Sequence, residues 1–411
     1  MLQQILSSAG LDPQTSANLL GISPRIFCEW VAGQRPIPDS VAHQLSAVLG
    51  VQPSALLASA KRVRINQADI TPAIWYKLRG EQLVDADREC VLLIRQLAYF
   101  VNELEEVTQR RAVGWQPLFE DIRRKTDIQA PPREQGRQAA RMFRESRDLG
   151  RGNNGIGEVF RGNLRAMGLL VIESPLPESK LEGCSFFVGS NQPDYQPDRP
   201  SVFANTHHGT WFRRNIVLMH EVGHAIFDAE SAAASLDFVD TSVADDLSEQ
   251  RAQAFAQEAM VPQEVLRHIA QARGIQWDRM GTYDLAMLIA ETHVEQRTVV
   301  AAAVEADFVS PEQAEQYLAM DLSFELRNLT DHALSAKEYV RKIGMDAAAQ
   351  WINKRTTTIP SRRLRLPPHY VKWVQDAFND AKINRGKAAE LLMIDEDTFD
   401  ERFGKLVNSE Q

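Results

Sequence analysis

Asn215-Ile216-Val217-Leu218-Met219-His220-Glu221-Val222-Gly223-His224-Ala225-Ile226-Phe227-Asp228 is the stretch on which the reading of this chain turns. It contains H-E-x-x-H inside a run that reads as a helix. Residues four apart on a helix share a face, so His220 and His224 can offer two imidazole nitrogens to one ion. Glu221 lies one position round from that face, where its carboxylate can take a proton from a water at the same ion. Metal-assisted peptide hydrolysis needs this set of groups. Ile216, Val217 and Phe227 mark the helix as buried. Two core histidines with ordinary partners would share that burial, but two such imidazoles without an ion need several hydrogen-bond partners. With nine His in 411 residues, a chance match is uncommon.

The spacing beyond the motif excludes a metzincin, which needs Gly three residues and His six residues after the second His; Phe227 and Glu230 stand there. The third ligand is then expected to be a carboxylate further on. In Ser248-Glu249-Gln250-Arg251-Ala252-Gln253-Ala254-Phe255-Ala256-Gln257-Glu258-Ala259-Met260-Val261-Pro262, an apolar helical stripe runs through Ala252, Phe255, Ala256, Ala259 and Met260. Glu249 falls on that stripe, and a carboxylate on a buried face needs a partner such as a metal. A Glu in a first turn can instead serve the helix N-terminus, although Asp245 and Asp246 suit that role better. Glu249 is the preferred ligand, with Asp228 and Glu230 as alternatives.

H-E-x-x-H, followed by E-x-x-A-x-x-F-A and a closing Met-x-Pro, resembles the ImmA/IrrE family of zinc metallopeptidases. Gly168 to Ile172, Leu181 to Ser185 and Ser201 to Asn205 resemble that family's short strands ahead of the zinc helix. The likeness covers roughly residues 136 to 310. Gln253 departs from the Asn or Asp usual in the second motif, at a position outside the ligand set. The resemblance implies a small α+β zincin-like domain with Zn2+ held by His220, His224 and Glu249, Glu221 as general base, and a transcriptional repressor as a frequent substrate.

A second resemblance lies near the N-terminus, where residues 1 to 58 read as five short helices. In Gln14 to Gly33, Ala17 lets two helices approach, Gly21 ends the first in a tight turn, and Ser23-Pro24 suits the start of the second. Ile22, Phe27 and Trp30 supply a packing face. This pattern resembles the helix-turn-helix of Cro/CI-type (XRE) repressors. It implies that Arg25 and Glu29 meet base edges and that Gln14 and Arg35 lie near phosphates. The unit is only weakly basic, with five Lys and Arg against three acids over residues 1 to 64, so DNA affinity would depend on a homodimer or a second contact. The alternative is a helix-turn-helix used only for protein contact or dimerisation.

Composition is that of an ordinary globular protein, 44% apolar and 25% charged. The net charge of −9 argues against a protein that coats nucleic acid, but it is unevenly spread. Residues 107 to 165 carry thirteen Lys and Arg against seven acids, and residues 228 to 335 carry six against twenty. That asymmetry fits either a nucleic-acid partner on one side or two segments facing each other through opposite charge. Cys28, Cys90 and Cys184 form no C-x-x-C and read as reduced thiols. With no apolar run of membrane length and no signal-peptide pattern, the expectation is a cytoplasmic chain without a membrane partner.

Between these parts, Glu81 to Arg111 has helical spacing, and Trp75, Tyr76, Trp115 and Phe119 are expected to pack there as core. Ala130-Pro131-Pro132 marks a boundary. Gly150 to Gly157 reads as a loop and not as a nucleotide site. Pro175 to Pro200 carries strands and turns at the edge of the cleft, where an extended substrate could add a strand. His207 and His208 read as surface residues and His293 as structural. Ala229 to Asp246 is expected to cover the cleft. Ile383 to Asp395 and the helix after it look like another helix-turn-helix; acids at Asp395, Glu396, Asp397, Asp400 and Glu401 make its second helix a poor DNA reader and favour a protein-contact or dimer role.

The expected architecture is multidomain and mainly α. It comprises a helix-turn-helix domain at 1–60, a helical connector at 61–135, the metallopeptidase domain at 136–310 and a helical C-terminal domain at 311–411. The expected function is a DNA-binding regulator with a zinc-dependent endopeptidase that cleaves a partner repressor. The alternative is a non-enzymatic, antitoxin-like DNA-binding regulator whose metal domain is a sensor or an interaction surface.

Overall fold

The computed structural model describes residues 2–51, 53–57, 85–110, 114–146, 160–187, 200–207, 210–227, 235–238 (backbone only), 246–329 and 364–403. Five helices open the chain: α1 (Leu2–Ala9), α2 (Pro13–Leu19), α3 (Pro24–Val31), α4 (Asp39–Leu49) and α5 (Pro53–Leu57). Asp12 caps α2, its Oδ2 accepting from the Thr15 amide at 2.8 Å. Gly21 makes the following turn at φ +70°. Ser23 occupies the cap position of α3 but makes no side-chain capping bond, so Pro24 alone supplies the local start signal there. Leu2, Ile5, Ala17, Phe27, Leu45 and Leu49 are buried between these helices.

A long helix, Asp85–Thr108, is the keel of this half of the molecule. It grips the head through Arg95, whose Nε and Nη2 donate to the Val48 and Ala47 carbonyls at 2.7 Å each. Those carbonyls belong to the last turn of α4, which has no intrahelical donors left for them. Burial pulls the Arg95 pKa down to about 10, so the guanidinium stays charged at neutral pH. Gln96 Nε2 donates to the Leu20 carbonyl at 3.3 Å. At the helix start, buried Asp87 accepts from Ser179 Oγ and the Lys180 amide, both at 2.6 Å.

The sheet separates two cores. Its strands are β1 (Leu170–Ser174), β2 (Leu181–Phe187), β3 (Pro200–Asn205) and β4 (Ser235–Phe238), in the order β1-β3-β2-β4. β1 and β3 are parallel; β2 is antiparallel to both β3 and β4. Leu170, Ile172, Cys184, Phe186 and Phe203 face the core shared by the head, the keel and the C-terminal helices. Val171, Phe187, Val202 and Ala204 face the other core. A register shift between Leu181 and Gly183 explains why Leu181 shares a face with Cys184 and Phe186. The motif helix, Trp211–Phe227, packs on β2 and β3 in the second core. Helices Trp115–Lys125, Pro132–Ser146 and Leu247–Met260, and those from Gln263 to Leu329, complete that core.

Spatial order therefore differs from chain order. Trp115 and Phe119, expected in the connector, pack in the second core, with Trp115 against Phe187 at 5.5 Å between centroids. That core thus begins upstream of the Pro131-Pro132 break. The C-terminal part is divided: Ala314, Tyr317 and Leu322 join the second core, whereas Leu364 to Phe403 join the head. Trp75, Tyr76 and Gly150 to Gly157 lie outside the described residues. The basic stretch faces the acidic one: Arg133 and Arg137 reach Glu305 at 3.4 and 2.9 Å, and Arg141 reaches Glu258 at 3.0 Å. Among the described residues no helix is long and apolar enough to cross a membrane.

After helix Pro368–Asn379, the two C-terminal helices Arg385–Leu391 and Glu396–Phe403 repeat the hydrogen bonding of the head's two-helix unit. Asn384 caps as Asp12 does, accepting from Lys387 N at 2.8 Å. Ile22 N donates to Ala17 O at 2.9 Å, and Ile394 N to Ala389 O at 3.1 Å. Met393 takes φ +55° where Gly21 takes +70°. Lys387 Nζ fastens the unit to Glu103 of the keel at 2.8 Å.

Arg95→Met keeps the apolar stem of the side chain and removes the donors to α4. Two buried carbonyls then lose a charged partner, so unfolding free energy is expected to fall by about 3 kcal/mol. The urea midpoint checks this, with Arg95→Lys expected to fall between the two.

Candidate metal centre

The motif helix is seated by polar contacts before it presents any ligand. In its first turn Arg213 pairs with both oxygens of Glu182 on β2, at 2.6 and 2.9 Å, and with Glu295 at 2.6 Å. Arg161 holds Glu173 through two bonds of 2.8 Å and donates to Asn215 Oδ1 at 2.8 Å. Burial alone would raise the Glu173 pKa, but the Arg161 charge and hydrogen bonds outweigh it and leave the carboxyl below its ordinary range. Asn215 donates in turn to the His293 carbonyl, and the His293 ring stands edge-on to Trp211 at 5.4 Å. At the other end Arg123 Nη1 donates to the Ile226 carbonyl at 3.2 Å.

Gly183 lies beneath the middle of this helix. A Cβ there would stand 2.6 Å from Val217 Cγ1 and 2.7 Å from Glu221 Oε1. Only glycine lets the helix rest on β2 with the Glu221 carboxylate against the strand. Glu221 is fully buried in that position.

The third element is the carboxylate helix, Leu247–Met260. Asp246 caps it, accepting from the Ser248 amide at 2.8 Å, so Glu249 in the first turn is left to face inward. Ala252, Phe255, Ala256, Ala259 and Met260 are all buried, as the stripe requires. The two helices nearly touch at Gly223, where a Cβ would stand 3.1 Å from Ala252 Cα and 3.2 Å from Phe255 Cδ1.

At that crossing His220, His224 and Glu249 come together. His220 Nε2 stands 3.1 Å from Glu249 Oε2, His224 Nε2 stands 3.3 Å from the same oxygen, and the two ring nitrogens are 3.0 Å apart. Tetrahedral ligands about 2.1 Å from an ion stand ~3.4 Å from one another, so this triangle is close to one face of a zinc site. The donor set, two imidazoles and one carboxylate, suits zinc and not a hard cation that prefers oxygen. Burial alone would raise the Glu249 pKa; the two histidines outweigh it and hold the carboxyl well below the usual range. The His224 side chain is 1% exposed, His220 11% and Glu249 13%, so solvent reaches the cluster from the His220 and Glu249 side. Among the described residues this is the group with metal-ligand geometry.

Asp228, Glu230 and His208 lie outside the described residues. His207 is exposed in a turn, its amide donating to Asn205 Oδ1 at 3.0 Å. In the head Gln14 is exposed on α2, and Arg25 on α3 is 85% exposed. Glu29 stands between Arg25 at 3.6 Å and Arg35 at 3.4 Å, so these three form one exposed charged group. Sequence reading missed β4, Gly183, Gly223 and Arg213. A glycine inside a strand pattern signals close approach, and the Ser235-Leu236-Asp237-Phe238 alternation signals a strand.

Residues 164–279 match the model of a peptidase family described as the IrrE N-terminal-like domain. The match runs from the end of helix Phe160–Ala166 past the carboxylate helix, and so contains the three clustered residues and Glu221. No curated protein and no solved structure matches the chain.

If Glu249 is the third ligand, Glu249→Ala and His224→Ala should each weaken zinc binding at least 100-fold in a chelator competition, whereas Asp228→Ala and Glu230→Ala should leave it unchanged. Loss of binding in Asp228→Ala alone would transfer the ligand role to that residue.

Proposed function

We propose that the chain is a regulator whose body is a zinc-dependent endopeptidase and whose head binds DNA. The observation that carries the enzymatic part is the convergence of His220, His224 and Glu249 within 3.3 Å of one another, with Glu221, buried, following His220 in the chain. Those three residues would hold a zinc ion, which would supply Lewis acidity toward a peptide carbonyl and an attacking water. Glu221 takes the proton of that water as it attacks and hands it to the departing amine. β2 limits how far that carboxylate can swing, because Gly183 leaves it a seat and no more. Arg213, by gripping Glu182 next to Gly183, fixes the register in which Glu221 meets the strand.

The DNA-binding part rests on α2, its left-handed turn and α3, with Arg25 projecting into solvent. Such a unit places its second helix in the major groove. Glu29, bound to both Arg25 and Arg35, orients the cations and lowers the net charge offered to phosphate. The substrate that suits a DNA-bound peptidase is another transcription factor, and its cleavage would relieve repression. A homodimer would supply the affinity that one weakly basic head lacks.

Glu221→Gln should retain zinc and lose cleavage at least 100-fold. A peptide library and the repressors encoded beside this chain serve as substrates, with mass spectrometry reading the cuts. Equal cutting by both proteins removes the mechanism and leaves the metal as a sensor. Arg25→Ala should weaken operator binding while leaving cleavage of a free peptide intact; unchanged operator binding would sink the DNA part alone.

A further inference from the structure

The carboxylate helix contributes one residue to the metal centre, Glu249, from its first turn. Its other flank lies against helix Pro132–Ser146. There, too, the contact is through a glycine. A Cβ on Gly136 would collide with the Arg251 carbonyl oxygen, stand 2.9 Å from Phe255 N and 3.1 Å from Ala254 Cβ. The first two atoms are the acceptor and donor of one turn of the carboxylate helix, so backbone meets backbone at that point. Further along, Arg141 pairs with Glu258 at 3.0 Å, the Phe143 and Phe255 rings meet at 5.5 Å, and Arg144 Nη1 donates to the Ala259 carbonyl at 2.5 Å. Those side-chain contacts set the far end of the helix. Gly136 sets the near end, where it meets Arg251, two residues beyond Glu249.

A glycine in the middle of a helix weakens it relative to alanine. Gly162, in helix Phe160–Ala166, shows the contrast, since a Cβ there meets nothing within 4 Å. At Gly136 the missing side chain has a structural use. Phe255 lies between Gly136 and Gly223, its backbone against the first and its ring against the second. The carboxylate helix is thus held between two glycines, and at each of them the approach involves its backbone, the Arg251 carbonyl and Phe255 N at Gly136 and Ala252 Cα at Gly223.

We propose that Gly136 is a positioning residue of the metal centre, holding the carboxylate helix where Glu249 can share an ion with His220 and His224. This rests on the zinc reading above. A Cβ at Gly136 displaces the first turn of the carboxylate helix and leaves the motif helix seated on β2, so the imidazole pair stays and the carboxylate moves.

The test uses the full chain and zinc alone, with affinity read by chelator competition and helix content by circular dichroism. Gly136→Ala is expected to keep its helix content and bind zinc about 10- to 100-fold more weakly, while Gly162→Ala binds as the parent does. The deciding comparison is made in the Glu249→Ala background, where Gly136→Ala should have no further effect, because it acts through that carboxylate. Parental affinity in Gly136→Ala overturns the proposal, as does an equal loss with and without Glu249. If Gly136→Ala does not fold, Ala254→Val crowds the same contact from the other side and takes its place with the same expected and overturning results. A parent chain that binds no zinc defeats the zinc reading itself, which is a different outcome from a silent Gly136→Ala.

Discussion

Two helices that come nearly into backbone contact make the centre possible. Where Gly223 meets Ala252 and Phe255, the motif helix and the carboxylate helix approach closely enough for a side chain as short as Glu to reach both imidazoles. Packed interiors transmit displacement because they are dense, and contacts made by backbone and Cβ atoms have no rotamers with which to relax. The same closeness is electrostatic. Glu249 and the two histidines are mostly out of water, and their donor atoms lie within 3.3 Å of one another. A cation among them removes the reason for which burial of such groups is costly.

Three helix ends share one device. An arginine from a neighbouring helix donates to the last carbonyls: Arg95 to α4, Arg123 to the motif helix and Arg144 to the carboxylate helix. These carbonyls lack intrahelical donors, and a cation also suits the negative end of the helix dipole. Each bond crosses between elements, so capping and docking are the same act. β2 joins the two halves: Cys184 and Phe186 face the head and keel, while Gly183 seats Glu221. Arg95, whose guanidinium lies over Phe186 at 5.6 Å, reaches both the last turn of α4 and that strand. Head and candidate site therefore lean on opposite faces of one strand.

How much of this was legible in the sequence follows from range. His220 and His224 share a face by helical periodicity, which is local, and Glu249 was found from a stripe of the same period. The five head helices were readable from caps, prolines and glycines near their ends. What escaped depends on partners far along the chain. β4 is four residues long and exists because β2 offers it an edge, so its short alternation was lost in an acidic stretch. Gly183 and Gly223 have meaning only once the element above each is known. The uneven charge carried two readings, and the choice needed Glu305 and Glu258 to be seen opposite Arg133, Arg137 and Arg141. Division by chain order placed Trp115 and Leu364 to Phe403 with the wrong neighbours, because nothing local in an apolar residue says which core it joins.

The repeated two-helix unit separates what specifies a fold from what specifies a surface. In both copies the first helix is capped by an Asx side chain, at Asp12 and Asn384. The turn passes through a left-handed residue, Gly21 and Met393, and a buried phenylalanine, Phe27 and Phe399, closes the second helix onto the core. These shared features are internal, and they suffice to reproduce the hydrogen bonds of the turn. The exposed positions differ in charge, Arg25 of the head standing where the C-terminal copy has Asp397. In the head, Arg25 stands out into solvent beside Glu29; in the C-terminal copy, Glu396 and Asp400 face outward and hold Arg385 in ion pairs. A helix bearing Glu396, Asp397, Asp400 and Glu401 is repelled by phosphate, whatever its shape. Identity of backbone thus carries no identity of surface charge: the second helix begins with Arg25 exposed in the head and with Glu396 and Asp397 in the C-terminal copy.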